Sequence, residues 1–267
     1  MKRRSRFNEQ ECFDMGGRTK RLVLVVSGKG GVGKTTFARL MTDVYRERNT
    51  KAAIFDADGQ IGGLARVYHD VVQFYDLRQD AERVTLLNSI ASAADVILHD
   101  LPGGSRFEIS KIVDNGDGER VDGFLAALDE NDVRLTLVHV IDNEIESAQS
   151  VSQYMSAFWT DSVDHVAVLN MRESRDLKAD FPYWFGYTSG SERRYGKGRD
   201  RLLAAGGIEV SMPGIQVGAR AKLNALNLKF SDCARHPELT ITERTIASQF
   251  LREFRKAIEP ASGFLGL

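Results

Sequence analysis

The sequence predicts an α/β fold in which helices cover both faces of a mostly parallel β-sheet. Three observations lead to this prediction: short apolar stretches rich in β-branched residues, helical stretches between them, and polar or glycine-rich segments directly after several of the apolar stretches. Strands that alternate with helices are joined by right-handed crossovers, which set the strands side by side in parallel. Ligands of such sheets bind beyond the carboxyl ends of the strands.

Six apolar segments are predicted to be strands. In chain order they are "RLVLVVS" (21–27), "KAAIFD" (51–56), "DVILHD" (95–100), "RLTLVHVI" (134–141), "HVAVLN" (165–170) and "IEVSMP" (208–213). Helices are predicted after the first strand and around "TLLNSIASAA" and "EIESAQSVSQYMSAF". The closing helix, "ERTIASQFLREFRKAI", has one apolar face, which we expect to pack on the sheet rather than on a membrane surface.

The chain divides into a basic start and one domain. Residues 1–20 are polar and basic, and we expect a flexible arm there, followed by a single domain over residues 21–267. Residues 172–207 lose the periodicity and are expected to form an irregular aromatic and basic insertion. No apolar run reaches the ~20 residues of a membrane span, and no apolar region of a secretory signal follows the basic start. We therefore expect a cytoplasmic protein without an integral membrane segment.

Charge and cysteines exclude several classes of protein. The net charge of -1 argues against a surface coated with nucleic-acid-binding charge, although a local basic patch is compatible with it. Cys12 and Cys233 lack the spacing of a zinc site or a disulfide framework, so we expect two free thiols.

The segment "SGKGGVGKTT" (27–36) has the spacing of a phosphate-binding loop, in which four residues separate Gly28 from the run Gly33, Lys34 and Thr35. Glycines let successive backbone N–H groups point at phosphate oxygens, and the helix N-terminus adds positive charge. Lys34 is expected to reach the β- and γ-phosphates, and the Thr35 hydroxyl to bind Mg²⁺. The residues predicted to bind the nucleotide in this loop are Gly28, Gly30, Gly31, Val32, Gly33, Lys34, Thr35 and Thr36.

A second lysine in this loop, Lys29, indicates which class of P-loop protein the sequence resembles. "KGGVGKT" resembles the deviant Walker A signature of the ParA/MinD superfamily of P-loop ATPases. The resemblance implies an ATP-dependent homodimer with ATP and Mg²⁺ as cofactors. It also implies that Lys29 crosses the dimer interface and contacts the phosphates bound by the other subunit, as an arginine finger does. Lys29 and Lys34 are therefore two of the predicted catalytic residues.

Two further strand ends resemble motifs of the same superfamily. "FDADGQ" resembles the D-x-D-P-Q switch I motif, with Gly59 in place of proline. It implies that Asp56 belongs to the Mg²⁺ site and that Asp58 positions or activates the attacking water, which makes Asp58 the third predicted catalytic residue. "VILHDLPGG" resembles the Walker B strand and switch II, which assigns Asp100 to Mg²⁺ through water.

The resemblance to the superfamily also implies which residues bind the adenine base. "VAVLNM" resembles the strand whose final asparagine reads the adenine edge, which assigns that role to Asn170. "VSMPGI" resembles the segment that closes over the base, around Pro213. The sequence lacks the N-K-x-D pattern of Ras-like GTPases, and ATP is therefore preferred over GTP.

The missing interface cysteines and the layout of the chain after the Walker B strand indicate the branch of the superfamily. The paired interface cysteines of the iron–sulfur branches are absent, which favours a ParA-like ATPase that positions or segregates plasmid, DNA or other cargo. The layout after Walker B is similar to that of the plasmid stability and conjugal-transfer branch, the StbB and TraL type. The resemblance to ParA-like ATPases implies slow hydrolysis of ATP to ADP and phosphate, stimulated by a partner protein. The alternative is a metabolic P-loop enzyme, an ATP-dependent small-molecule kinase or ligase of the dethiobiotin synthetase type.

A basic segment lies within residues 172–207. ParA-like dimers bind DNA non-specifically through basic surface residues, because phosphate contacts require only positive charge. The predicted DNA-binding residues are Arg193, Arg194, Lys197, Arg199 and Arg201. DNA binding would associate the protein with the nucleoid. The alternative that the sequence leaves open is a solvated loop.

Overall fold

Parallel strands form the central sheet of the computed structural model, which describes residues 20–59, 62–194 and 196–267. The strands are β1 (Lys20–Val26), β2 (Ala52–Asp56), β3 (Val72–Phe74), β4 (Val96–Asp100), β5 (Val133–Ile141), β6 (Val163–Asn170), β7 (Tyr187–Ser189), β8 (Glu192–Arg194) and β9 (Ile208–Met212). The sheet has the order β3-β2-β4-β1-β5-β6-β9, and each neighbouring pair is parallel. The pair β7 and β8 forms a separate antiparallel ribbon. The predicted α/β class is confirmed.

Helices lie on both faces of this sheet. They are α1 (Lys34–Glu47), α2 (Asp80–Arg83), α3 (Thr85–Asn88), α4 (Arg106–Val113), α5 (Asp122–Glu130), α6 (Ile145–Ala157), α7 (Pro182–Phe185), α8 (Lys197–Ala204), α9 (Val217–Ala225) and α10 (Ile241–Ile258). Helix α10 begins with a capping box, in which Thr240 and Glu243 bond each other's backbone N–H groups. Its apolar face packs into the core, as predicted.

The apolar character of β1 follows from its position between two cores. Val23 and Val25 belong to the core that contains α1 and α10, where Phe37 packs edge to face on Phe254. The intervening residues of the strand belong to the core on the opposite face. The sequence of a strand that is covered on both sides is continuously apolar, because neither face of the strand contacts water.

One strand of the sheet was not predicted. Edge strand β3 pairs with β2 through Val72 opposite Ile54, and it leaves Phe74 largely exposed. Three residues at a sheet edge carry too little alternation to be recognised in sequence.

Residues 172–207, expected to be irregular, instead contain α7, the β7 and β8 ribbon, and α8. Trp184 is fully buried and its indole N–H donates to Glu209 at 2.6 Å. A Cβ at Gly196 would lie 1.9 Å from the Trp184 carbonyl oxygen, so only glycine lets the chain pass this close. Elements of three to eight residues are too short to show a period, and the sequence prediction therefore missed them.

Lys20, expected to be the last residue of the flexible arm, is instead the first residue of β1. Its ammonium donates to the carbonyl oxygens of Ile90 and Ser92 at 2.7 and 2.6 Å. The rest of the predicted arm, with Cys12, lies outside the described residues, as does Gln60 of the switch I motif. No helix in the described ranges combines the length and apolar character needed to cross a membrane.

Candidate functional site

The predicted site residues converge where the central strands end. Strand β1 ends at Val26 and is followed by the phosphate-binding loop, while β2 and β4 end at Asp56 and Asp100. These two aspartates are paired residues of adjacent parallel strands, so both carboxylates lie at the edge of the sheet that faces the loop. This is the edge at which ligands of open α/β sheets bind.

The loop backbone depends on glycine at several points. Gly31 and Gly33 have φ of 78° and 106°, a region that other residues rarely adopt. A Cβ at Gly33 would lie 2.4 Å from Nδ2 of Asn170, and one at Gly103 would lie 3.0 Å from the backbone nitrogen of Gly30. Switch II therefore packs directly on the loop, and Gly104 donates its N–H to Ser27 at 3.0 Å.

Lys34 opens α1 and is buried beneath the loop. Its Nζ donates to the carbonyl oxygen of Lys29 at 3.2 Å. Burial lowers the pKa of Lys34, and the nearby carboxylates of Asp100 and Asp58 oppose that effect. The ammonium is thus held where the loop curls, beside the acidic edge of the sheet.

Asp100 has a buried oxygen with no partner among the described residues. Its side chain bonds the hydroxyl of Thr35, but Oδ1 is buried without a hydrogen bond. Burial, together with the neighbouring charge of Asp56, raises the pKa of Asp100 to about 7. A hydroxyl and a carboxylate with a free oxygen are the hard donors that Mg²⁺ prefers.

The donors at this edge are too few to chelate a metal alone. In the described ranges, no group of three His, Cys, Asp or Glu side chains is arranged to hold a metal ion. Mg²⁺ is usually held by one or two carboxylates together with water and substrate phosphates. Thr35 and Asp100 fit a cation that arrives with a nucleotide.

Asp56 and Asp58 differ in what their carboxylates do. Asp56 accepts the N–H groups of Asp58, Leu64 and Ala65, at 3.2, 2.8 and 2.8 Å, and so orders the loop after β2. Burial raises its pKa, against the effect of these bonds. Asp58 is more accessible, and its contact is Arg78, whose Nη1 lies 3.3 Å from Oδ1. Of the two, Asp58 has the freer carboxylate.

Gly59, which replaces the proline of the switch I motif, has a steric explanation. A Cβ at this position would lie 2.3 Å from Cβ and Cγ of Asp76. The segment after β3 therefore packs against switch I so closely that a side chain at position 59 has no room.

Lys29 lies apart from Lys34 and points to the end of β5. Its Nζ is 3.5 Å from Oδ2 of Asp142, and its side chain is 38% exposed. The other carboxylate oxygen of Asp142 accepts the Ser147 hydroxyl and the Glu144 N–H, at the start of α6. Asp142 was not among the predicted site residues, although its position directly after β5 was a usable signal.

The end of β6 also contacts the loop. Asn170 donates from Nδ2 to the carbonyl oxygen of Val32 at 2.7 Å, and its Oδ1 accepts the N–H of Arg172. Arg172, which sequence analysis also missed, donates to the carbonyl oxygen of Gly31 at 3.1 Å. Pro213 follows β9 on the same side. Asn170 thus links β6 to the loop through an amide that retains a second N–H.

The five predicted DNA-binding residues are not equivalent. Arg199 bonds both carboxylate oxygens of Glu209 at 2.8 Å, and Arg201 lies over the ring of Trp159, with its Nη1 2.7 Å from the Ser156 hydroxyl. Arg194 and Lys197 are exposed. The side chain of Arg193 is outside the described part of the molecule. The structure therefore does not bring all five into one free basic surface.

A parallel sheet, a glycine loop before α1, and Lys34, Thr35 and Asp100 around it define a nucleotide-binding protein of the P-loop class. A family model described as the CobQ/CobB/MinD/ParA nucleotide binding domain matches residues 23–179. The chain belongs to this family, and the predicted membership of the ParA/MinD superfamily is confirmed. A search of the curated proteins returns no significant match.

Solved structures with a similar chain are distant in sequence. MinD in the MinC:MinD cell division complex of Aquifex aeolicus is 15% identical, with a TM-score of 0.48, and the match covers 88% of this chain and 96% of that one. MinD of Pyrococcus horikoshii OT3, complexed with Mg-ADP, is 17% identical, with a TM-score of 0.45 and coverage of 90% and 98%. An Archaeoglobus fulgidus nucleotide-binding protein in complex with ADP is 18% identical, with a TM-score of 0.40 and coverage of 78% and 86%.

Proposed function

We propose that the chain is a switch ATPase that hydrolyses ATP to ADP and phosphate and dimerises in its ATP-bound state. The observation that carries this proposal is the buried Oδ1 of Asp100, which has no hydrogen-bond partner in the described part of the chain. An unpaired buried carboxylate oxygen costs stability unless a ligand uses it. A divalent cation bound together with the phosphates of ATP would be that ligand.

The groups around the loop would divide the work of hydrolysis. Lys34 and the loop N–H groups would bind the β- and γ-phosphates, while Thr35 and Asp100 would hold Mg²⁺, with Asp56 next to its water shell. Mg²⁺ bound there supplies positive charge against the charge that develops on the phosphates. Asp58 would orient the attacking water and accept its proton, while the water oxygen bonds to the γ-phosphorus and the bond to the ADP oxygen breaks.

The base would lie between the ends of β6 and β9. Asn170 has a second amide hydrogen beyond the one that bonds Val32, and Pro213 follows β9 on the same side. We assign the adenine edge to Asn170 and the apolar cover of the base to Pro213.

Lys29 would make hydrolysis depend on a second subunit. Its ammonium contacts Asp142 at 3.5 Å and its side chain is more than one third exposed, so the loss of this contact costs little free energy. A cation that crosses the dimer interface would stabilise the charge on the phosphoryl group in transfer. We propose that the ATP-bound dimer positions plasmid, DNA or conjugal-transfer cargo, that it binds DNA non-specifically, and that a partner protein stimulates hydrolysis.

The proposed switch is tested by measuring the oligomeric state of the protein in the presence of each nucleotide. Light scattering after size-exclusion chromatography should give dimers with Mg-ATP and monomers with Mg-ADP. Lys29→Ala should remain monomeric in both. Lys51→Ala is the matched control, because it removes an exposed lysine that lies away from the loop, next to β2.

A monomer under every condition would exclude the trans role of Lys29. ATP-dependent transfer of phosphate to a small molecule, by a protein that never changes its oligomeric state, would instead favour the metabolic kinase or ligase.

A further inference from the structure

A second cavity lies on the other side of α6 from the phosphate-binding loop. It measures about 620 Å³ and is bounded by α6, α7, the β7 and β8 ribbon, and α8. This volume falls within the range of small-ligand sites. The loop packs on a different residue of α6, because a Cβ at Gly28 would lie 2.7 Å from Cβ of Ser150, which does not line the cavity. The cavity is therefore separate from the ATP site.

Two tyrosines form part of its wall. Tyr183 and Tyr187 have ring centroids 5.7 Å apart at an interplanar angle of 77°, an edge-to-face arrangement. In such a pair the ring that presents its edge keeps its own faces free of the partner ring. Tyr183 is 38% exposed, although it lines a cavity whose surface is mainly apolar. An aromatic face that is accessible inside a cavity can stack a planar group.

Two cations line the same cavity, and neither has a carboxylate partner in the described ranges. They are Arg194 and Lys197, and none of the described residues that line the cavity is acidic. The contrast with Arg199 is informative, because that neighbour is paired with Glu209. Unbalanced positive charge beside aromatic rings favours an anionic ligand with a planar body.

The remaining polar groups suit a base edge. Gln149 and Ser152 of α6 line the cavity. An amide side chain donates and accepts hydrogen bonds at the same time, as the edge of a nucleobase does, and a hydroxyl can do either. Planar stacking, cationic charge and mixed hydrogen bonding together describe a nucleotide.

We propose that this cavity binds a nucleotide, with the base against Tyr183 and Tyr187 and the phosphate at Arg194 and Lys197. The ligand is either a free mononucleotide or an unpaired nucleotide within single-stranded nucleic acid. A paired base in duplex DNA is stacked between its neighbours and cannot enter a cavity, whereas an unpaired base can. The inference uses the same cations as the DNA binding proposed above, and it assigns them to unpaired rather than duplex nucleic acid.

The binding experiment compares nucleic-acid forms at one salt concentration. Fluorescence anisotropy measures a labelled oligothymidylate of about 12 nucleotides against a duplex of the same length. We expect the single strand to bind more tightly. Unlabelled thymidine monophosphate distinguishes a free mononucleotide from a nucleotide within a strand. It competes with the oligonucleotide if a free nucleotide fits the cavity, and it fails to compete if a strand is required.

Variants test the wall and the charge separately. Tyr183→Ala should weaken binding of the single strand about tenfold, whereas Tyr183→Phe should keep it, because stacking needs only the ring. Arg194→Gln with Lys197→Gln should lower both the affinity and its dependence on salt. Arg252→Gln with Lys256→Gln changes the same charge on the exposed side of α10 and should have no effect.

Specific results would overturn the inference. These are equal affinity for duplex and single strand that is unaffected by Tyr183→Ala, no binding of either probe, or displacement of the oligonucleotide by a glutamate-rich peptide but not by thymidine monophosphate. The last result would mean that the cavity takes an acidic protein segment. A chain that binds the single strand but never dimerises with ATP would remove the proposed switch and leave this site standing.

Discussion

Lys29 Nζ lies 3.5 Å from Oδ2 of Asp142, within the same subunit. The contact joins the phosphate-binding loop to the end of β5 and holds the ammonium on its own chain. We therefore expect Asp142 to compete with a partner's phosphates for this lysine. Asp142→Asn removes the negative charge but keeps an oxygen for the Ser147 hydroxyl and the Glu144 N–H. The variant should dimerise at a lower concentration of ATP, measured by light scattering.

The stability of Asp142→Asn serves as its control. An ion pair 3.5 Å long whose lysine is partly exposed contributes only about 0–1 kcal/mol to the free energy of unfolding. A chemical denaturation curve close to that of the unmodified chain is therefore expected. Unchanged or weaker dimerisation in ATP, at unchanged stability, would show that Asp142 does not restrain Lys29.

Asp58 is the carboxylate that we expect hydrolysis to require. Asp58→Ala should lower phosphate release about 10²- to 10⁴-fold, the range that a positioned base contributes, and should leave the ATP-bound dimer long-lived. Arg78→Ala is the matched control, because it removes the same ion pair but leaves the carboxylate in place. Phosphate release by Asp58→Ala at the rate of Arg78→Ala would contradict the assignment.

Arg199 is expected to act in stability rather than in binding nucleic acid. Its guanidinium satisfies both oxygens of Glu209, which also accepts the indole N–H of Trp184. Arg199→Gln should lower the free energy of unfolding by about 1–3 kcal/mol, because it leaves a partly buried carboxylate without its cation. The affinity for nucleic acid, measured by anisotropy, should change less than with Lys197→Gln. If Arg199→Gln lowered the affinity more than Lys197→Gln does, Arg199 would have to contact the nucleic acid directly.

Two buried histidines predict how stability depends on pH. His139 Nε2 and His165 Nδ1 lie 3.1 Å apart, and the ring of Tyr154 packs on His139. Burial lowers the pKa of His165 to about 4, with Asp164 opposing and Arg201 reinforcing the shift, and lowers the pKa of His139 as well. Below about pH 6.5 the unfolded chain binds protons that the folded chain does not, so stability is full above that pH and falls below it.

The measurement is the free energy of unfolding at two pH values. Each histidine should contribute a loss of about 1.4 kcal/mol per pH unit between pH 6.5 and its folded pKa. His165→Gln removes one titrating group, so its stability should fall less steeply between pH 6.5 and 5.5 than that of the unmodified chain. Identical slopes for the two proteins would mean that His165 does not titrate between the folded and unfolded states.

The sequence was informative where a long pattern or a fixed spacing exists. Strands β1 and β4 were predictable because burial on both faces makes their runs continuous, and the loop was predictable because phosphate binding requires glycine, lysine and threonine at set intervals. Asp142 directly follows β5, a usable signal that the prediction did not take up. Nothing local marks Arg172, because its partner is a backbone carbonyl oxygen of the phosphate-binding loop. Arg199 was assigned to the surface because sequence does not reveal that Glu209 lies beside it.

Gly59 provides a test in which the motif of the superfamily and the structure disagree. Proline is usual at this position, yet a Cβ there would lie 2.3 Å from the side chain of Asp76. Gly59→Pro should therefore displace switch I, lower the hydrolysis rate, and reduce the melting temperature, although it restores the usual motif. Gly218→Ala in α9 is the control, because a Cβ there meets nothing within 4 Å and alanine favours a helix. Full activity and stability of Gly59→Pro would show that the segment around Asp76 moves away freely, and that the close packing of switch I on it is dispensable.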